Sequence, residues 1–150
     1  MDEIKKAKLK ALHILTRMDK TEADLRAGLK RAGFSDEAVD AALDYVKSFG
    51  YIDDLKYAEK YISYNKDRKS RQKMKYELLN KGVSKEFIEE ALESCEDFDE
   101  REVLRKTVYK KWKGEDKPDE KALNRLFASL VRQGFSSHDI WQVLHEENLT

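Results

Sequence analysis

The chain has 150 residues, about one domain's worth, and 40% of them are charged. Thirty basic and thirty acidic side chains cancel, so net charge alone selects no partner, while a single proline (Pro118) and sparse β-branched residues favour helix throughout. The lone cysteine, Cys95, excludes an internal disulfide framework, and its bland reading is a small side chain buried beside Leu92.

Apolar residues at Ile4, Ala7, Ala11, Ile14, Leu15 and Met18 keep helical spacing and predict a first helix over 3–18. Thr21, with Asp24 three residues on, caps a second helix carrying Leu25, Leu29 and Ala32, which Gly33 ends. Ser35 caps a third, with Val39, Ala42, Leu43 and Val46 on one face. Asp53 or Asp54 caps a fourth, along which Leu55, Ala58, Ile62 and Asn65 follow one stripe. A basic run follows: Lys66, Arg68, Lys69, Arg71, Lys73 and Lys75 face only Asp67. It straddles the start of a fifth helix with Met74 and Leu78 in the core, Arg71 partly in that face, and Lys73 and Lys75 outward. Beyond the sixth helix, Glu93, Glu96, Asp97, Asp99, Glu100 and Glu102 surround a lone Arg101. Asp99 with Glu102 caps a seventh helix bearing Leu104, Val108 and Trp112; residues 113–117 form a loop, and Pro118 suits the first turn of the eighth helix. The apolar run from Ala11 to Leu15 is too short for a signal-peptide core, and no run nears the ~18 residues of a spanning helix. The expectation is a cytoplasmic protein without a membrane partner.

Three windows share one spacing. Leu25, Leu29, Gly33, Phe34, Ser35, Val39 and Leu43 correspond to Met74, Leu78, Gly82, Val83, Ser84, Ile88 and Leu92, and again to Leu126, Leu130, Gly134, Phe135, Ser136, Ile140 and Leu144. Agreement at every position in three copies marks an internal repeat. Within it the glycine closes one helix and the serine opens the next, while the residue between them staples onto the fourth position of the new helix. The expected fold is therefore all-α: three tandem three-helix repeats over 1–50, 51–97 and 98–150, nine helices stacked into an elongated, curved array.

The middle copy carries more than the repeat. Gly50-Tyr51-Ile52-Asp53-Asp54, then Tyr57-Ala58 and Tyr61-Ile62, then Glu77-Leu78, Lys81-Gly82-Val83, Ile88 and Ala91-Leu92 resemble the signature of the RecX family, regulatory proteins of the RecA recombinase. The triple repeat extends the resemblance over the whole chain, but it is motif-specific only from about 50 to 92. One departure stands at Lys69-Ser70, where many members of that family have a glycine shortly before the arginine matching Arg71; Ser70 can cap the helix instead. The resemblance implies a monomeric, non-enzymatic modulator that binds RecA filaments in their helical groove and restrains their ATPase, coprotease and strand-exchange activities in recombination, DNA repair and the SOS response.

The residues themselves offer no catalytic constellation. Asp53 and Asp54 are adjacent and cannot share a helix face as an acid–base pair, so helix capping is their simplest role. His138 and His145 lack a third metal ligand at a convincing spacing. No phosphate loop or nucleophile–base signature is present, and no cofactor, metal or catalytic residue is expected. The functional candidates are Asp53, Asp54, Tyr57 and Tyr61, the basic run Lys66, Arg68, Lys69, Arg71, Lys73 and Lys75, and Lys110 and Lys111 in a second cluster with Lys106, Tyr109, Trp112 and Lys113. Tyr57, Tyr61 and Tyr64 form a stripe suited to packing between repeats or to stacking on bases. The basic surfaces fit either DNA phosphates or acidic patches on the filament protein. The alternative is an autonomous, sequence-independent DNA-binding protein. Major-groove reading by the third helices is disfavoured, since Asp36, Glu37, Asp40 and Asp44 stand against Lys47 in one, and Glu86, Glu89, Glu90, Glu93 and Glu96 against Lys85 in another.

Overall fold

The computed structural model describes residues 2–95, 98–114 and 116–150. Among them the chain is all-α: α1 (Glu3–Arg17), α2 (Glu22–Arg31), α3 (Asp36–Ser48), α4 (Asp54–Asn65), α5 (Arg71–Asn80), α6 (Lys85–Glu93), α7 (Glu100–Lys111), α8 (Glu120–Arg132) and α9 (Ser137–Glu146). Three tandem three-helix repeats result. Each helix opens on an oxygen that accepts the backbone N–H three residues on: Asp2, Thr21, Ser35, Asp53, Ser70, Ser84, Asp99, Asp119 and Ser136. Such a cap contributes about 1 kcal/mol per helix, and it sets the boundaries more sharply than hydrophobic periodicity can.

The second helix of each repeat ends in one and the same hydrogen-bonded corner. The N–H groups of Gly33 and Phe34 donate to the carbonyls of Lys30 and Leu29, those of Gly82 and Val83 to Leu79 and Leu78, and those of Gly134 and Phe135 to Val131 and Leu130. The glycines lie at φ +94, +86 and +95, where a side chain is strained. A fourth corner closes α3, through Gly50 and Tyr51 onto Lys47 and Val46. Gly50-Tyr51 thus ends one repeat as much as it opens the next.

By its contacts the chain divides into two compact units, Met1–Tyr61 with Glu77–Ser94, and Ile62–Tyr76 with Cys95–Thr150. The division runs through α4 and α5 of the middle repeat. The first unit is built on Ala7, Ala11, Leu25, Leu29, Val39, Leu43 and Val46, with Phe34 packed at the edge. The second is built on Leu104, Val108, Leu130, Phe135, Ile140 and Leu144, against which Trp112, Leu123 and Phe127 pack. In both, the stapling residue and its partner share one core, as their spacing predicts.

Each unit contains a clasp in which the second helix of one repeat starts against the next repeat. In the first unit the buried Thr21 hydroxyl donates to the Lys81 carbonyl (2.5 Å), and the Glu22 N–H donates to the Asp54 carboxylate (2.9 Å). In the second, the buried Ser70 hydroxyl donates to the Gln133 carbonyl (2.7 Å), and the Arg71 N–H donates to the Glu100 carboxylate (2.9 Å). Lys81 and Gln133 immediately precede the corner glycines, and a Cβ on those glycines would strike Ala23 in one unit and Ser70 in the other. Each hydroxyl therefore does two jobs, accepting from its own helix and donating to its neighbour.

Several sequence expectations need correction. Asp119, and not the first helical turn, follows Pro118, because the cap fixes the start of α8 at Glu120; the proline is buried before it. Cys95 lies past the C-cap Ser94 and is half-buried rather than enclosed on the α6 face. Trp112 is the C-cap of α7, half-buried, with its ring N–H donating to the Asp116 carbonyl (3.1 Å). Glu96 and Asp97 of the acidic run, and Glu115 of the loop after α7, lie outside the described residues.

Candidate partner-binding surface

The basic run begins where α4 stops. The N–H groups of Arg68 and Lys69 both donate to the Asn65 carbonyl, which turns the chain sharply. Asn65 is buried and its side-chain oxygen accepts from the Arg68 guanidinium (3.3 Å), which also donates to the Tyr64 carbonyl (3.3 Å). The guanidinium lies 4.5 Å from the centre of the Tyr64 ring, a cation–π pair on a tyrosine 75% exposed. Two residues later, the Ser70 clasp pins the start of α5. Arg71 follows, exposed, with its guanidinium 5.1 Å from the Phe98 ring. Burial raises the Glu100 carboxyl above its ordinary value, against the opposing pull of the Arg71 N–H and charge.

Tyr64, Arg68 and Arg71 are thus exposed in the second unit, with each guanidinium laid on a ring. A planar guanidinium laid on a ring has lost part of its rotamer freedom already, and its remaining donors fit phosphate or carboxylate oxygens. The lysines differ. Lys66, Lys69, Lys73 and Lys75 are half-buried, so Lys73 and Lys75 do not simply point outward. Lys110 and Lys111 are exposed in the last turn of α7, where cations complement the helix C-terminus. Beside them Tyr109 is 77% exposed, above an open cleft of about 400 Å³ lined by Arg105, Trp112, Lys113 and Glu147.

The signature residues of the first unit separate into structural roles. Asp53 caps α4 through the Lys56 N–H (3.1 Å). Asp54 belongs to the clasp; burial raises its carboxyl above the ordinary value, and the Glu22 N–H opposes the shift. Tyr51 stacks on Phe49 with ring centres 5.5 Å apart, and Ile52 is buried. Tyr57 and Tyr61 are half-buried, whereas Tyr64 is the exposed member of the stripe. Spacing alone could not divide the three rings. The clasp partners escaped sequence reasoning, although Thr21 and Ser70 each stand twelve residues before a corner glycine.

Among the described residues no group of three histidine, cysteine or acidic side chains could hold a metal ion, and His138 and His145 are exposed. No helix is long and apolar enough to cross a membrane among them.

Family models for the first, second and third three-helix domains of RecX match residues 7–45, 53–92 and 99–144. The regulatory protein RecX of Caldanaerobacter subterraneus subsp. tengcongensis is 36% identical over 145 residues, covering 95% of this chain and 71% of the relative. That of Clostridium perfringens is 32% identical over 137 residues, covering 89% and 65%. The chain thus spans about two thirds of the length of these curated relatives. The crystal structure of RecX from Lactobacillus salivarius superposes with a TM-score of 0.81 over 99% of both chains at 23% identity, a likeness of fold. Another RecX crystal structure gives a TM-score of 0.84 over 95% of this chain and 73% of the other, at 24% identity. With three domain models spanning most of its length and such relatives, the chain belongs to the RecX family.

Proposed function

We propose that this chain is a non-enzymatic, cytoplasmic regulator that binds filaments of the RecA recombinase and lowers their ATPase, coprotease and strand-exchange activities in recombination, DNA repair and the SOS response. Membership of the RecX family carries the reading. Exposed Tyr64, Arg68 and Arg71 support a place for the contact, since they are cationic and aromatic and both guanidinium groups already lie on rings. On this reading Asp53 serves as the cap of α4 and Asp54 as part of the clasp, Tyr57 and Tyr61 remain candidates for partner contact, and Lys66, Lys69, Lys73 and Lys75 add positive potential. The chain works as a monomer on this account.

The test is DNA-stimulated ATP hydrolysis by RecA, titrated with this protein. A dose-dependent fall in rate is expected; an unchanged rate up to saturating stoichiometry removes the proposal. Exposed Lys106, Lys110 and Lys111 favour a second, weaker activity, sequence-independent binding of DNA phosphates. Its mark is an affinity for bare DNA that falls steeply as salt rises.

A further inference from the structure

The two clasps show what their receiving face holds. In each, a turn carbonyl before a left-handed glycine accepts a cap hydroxyl, and the carboxylate that follows the first cap of that repeat accepts the next N–H. The first repeat carries the same set: the Ala32 carbonyl before Gly33, and Glu3, which follows the cap Asp2 as Asp54 follows Asp53 and Glu100 follows Asp99. Among the described residues no helix start covers it. A Cβ on Gly33 would meet nothing within 4 Å, where Gly82 and Gly134 are tightly covered. Glu3 instead folds back onto the N–H and hydroxyl of Ser35, and an open cleft of about 510 Å³ lies beside it, lined by Lys5, Lys8 and Glu37.

The third repeat does not carry the donating half of the pattern. α8 starts a turn early relative to its glycine, capped by Asp119, and the position matching Thr21 and Ser70 is Ala122, which has no hydroxyl to give. The third repeat therefore lacks the donating hydroxyl that the first two supply.

We infer that the Glu3–Gly33 face docks the N-terminus of a partner helix capped by serine or threonine. The cap hydroxyl donates to the Ala32 carbonyl, the following N–H donates to Glu3, and the carboxylate meets the positive end of the incoming helix dipole. A bare glycine corner admits the close backbone approach. This inference stands apart from the RecA reading and needs no filament to test it.

A peptide copying residues 18–32, cross-linked between positions 26 and 30 to hold its helix and labelled at its C-terminus, is the probe. Titrated with the full chain, it should bind saturably with a Kd below about 1 mM. The Thr21→Val peptide and the Glu3→Ala chain should each weaken binding about tenfold, and amide shifts in the unmodified chain should centre on Glu3 and Gly33. Absence of saturable binding, shifts centred elsewhere, or indifference to both substitutions overturns the inference. So does a Glu3-dependent dimer of the chain alone in sedimentation, which would give the face to a second copy.

Discussion

Gly33 and Gly82 occupy the same left-handed corner, φ +94 and +86, joined by the same pair of hydrogen bonds. At the first a Cβ would stand in open space; at the second it would collide with Ala23. Their local sequence reasons are identical, since both end a helix before a capping serine. Their tertiary reasons differ, because only Gly82 receives the start of a preceding helix. A repeat motif therefore fixes the conformation of a corner, while its place in the array fixes what the corner touches.

Alanine substitutions measure that difference. Gly82→Ala and Gly134→Ala combine left-handed strain with a clash and should cost about 2–4 kcal/mol in denaturant unfolding, whereas Gly33→Ala meets only the strain and should cost about 1 kcal/mol. Equal losses at Gly33 and Gly82 would break the comparison. Thr21→Val and Ser70→Ala come next, each removing a cap and leaving a part-buried carbonyl unanswered, at about 1–2 kcal/mol. Loss confined to one of them would mean that the two clasps are not equivalent.

A smaller effect separates the charge of the clasp from its hydrogen bond. The Asp54 carboxyl sits above its ordinary 3.8 in the folded chain, chiefly through burial. Its contribution to stability is therefore fully present below the unfolded value and fades as pH rises through the folded one. Asp54→Asn keeps an oxygen for the Glu22 N–H and removes the charge. The variant should match or exceed the parent in stability at pH 7, with the advantage vanishing as pH falls below 4 in parallel urea titrations. A variant weaker at pH 7 by more than the parent's uncertainty would show that the charge itself holds Glu22.

Much of this architecture was legible in the sequence. Leu25, Leu29, Gly33, Ser35 and Val39 carry their spacing into two further copies, and caps such as Thr21, Ser35, Asp99 and Ser136 act where their position predicts. Local rules suffice there, because a cap bonds within its own first turn. What escaped was every contact between repeats. Nothing in the neighbourhood of Ser70 announces Gln133, 63 residues away, and Asp53 and Asp54 read as one acidic pair until the fold sends one to its own helix and the other to Glu22. The basic run was visible as charge, but exposure was not: Arg68 and Arg71 lie on rings at the surface, while Lys73 and Lys75 are half-buried.

The surface at the end of α4 bears the central claim, and the most direct measurement is RecA ATPase inhibition by the Tyr64→Ala/Arg68→Ser/Arg71→Ser chain beside the parent. All three side chains are exposed, and the clasp hydrogen bonds of Ser70 and of the Arg71 backbone N–H remain available. With an unchanged helical spectrum and melting curve, the variant should need at least about tenfold more protein for half-inhibition; inhibition at the parent's concentration would place the contact elsewhere on the chain.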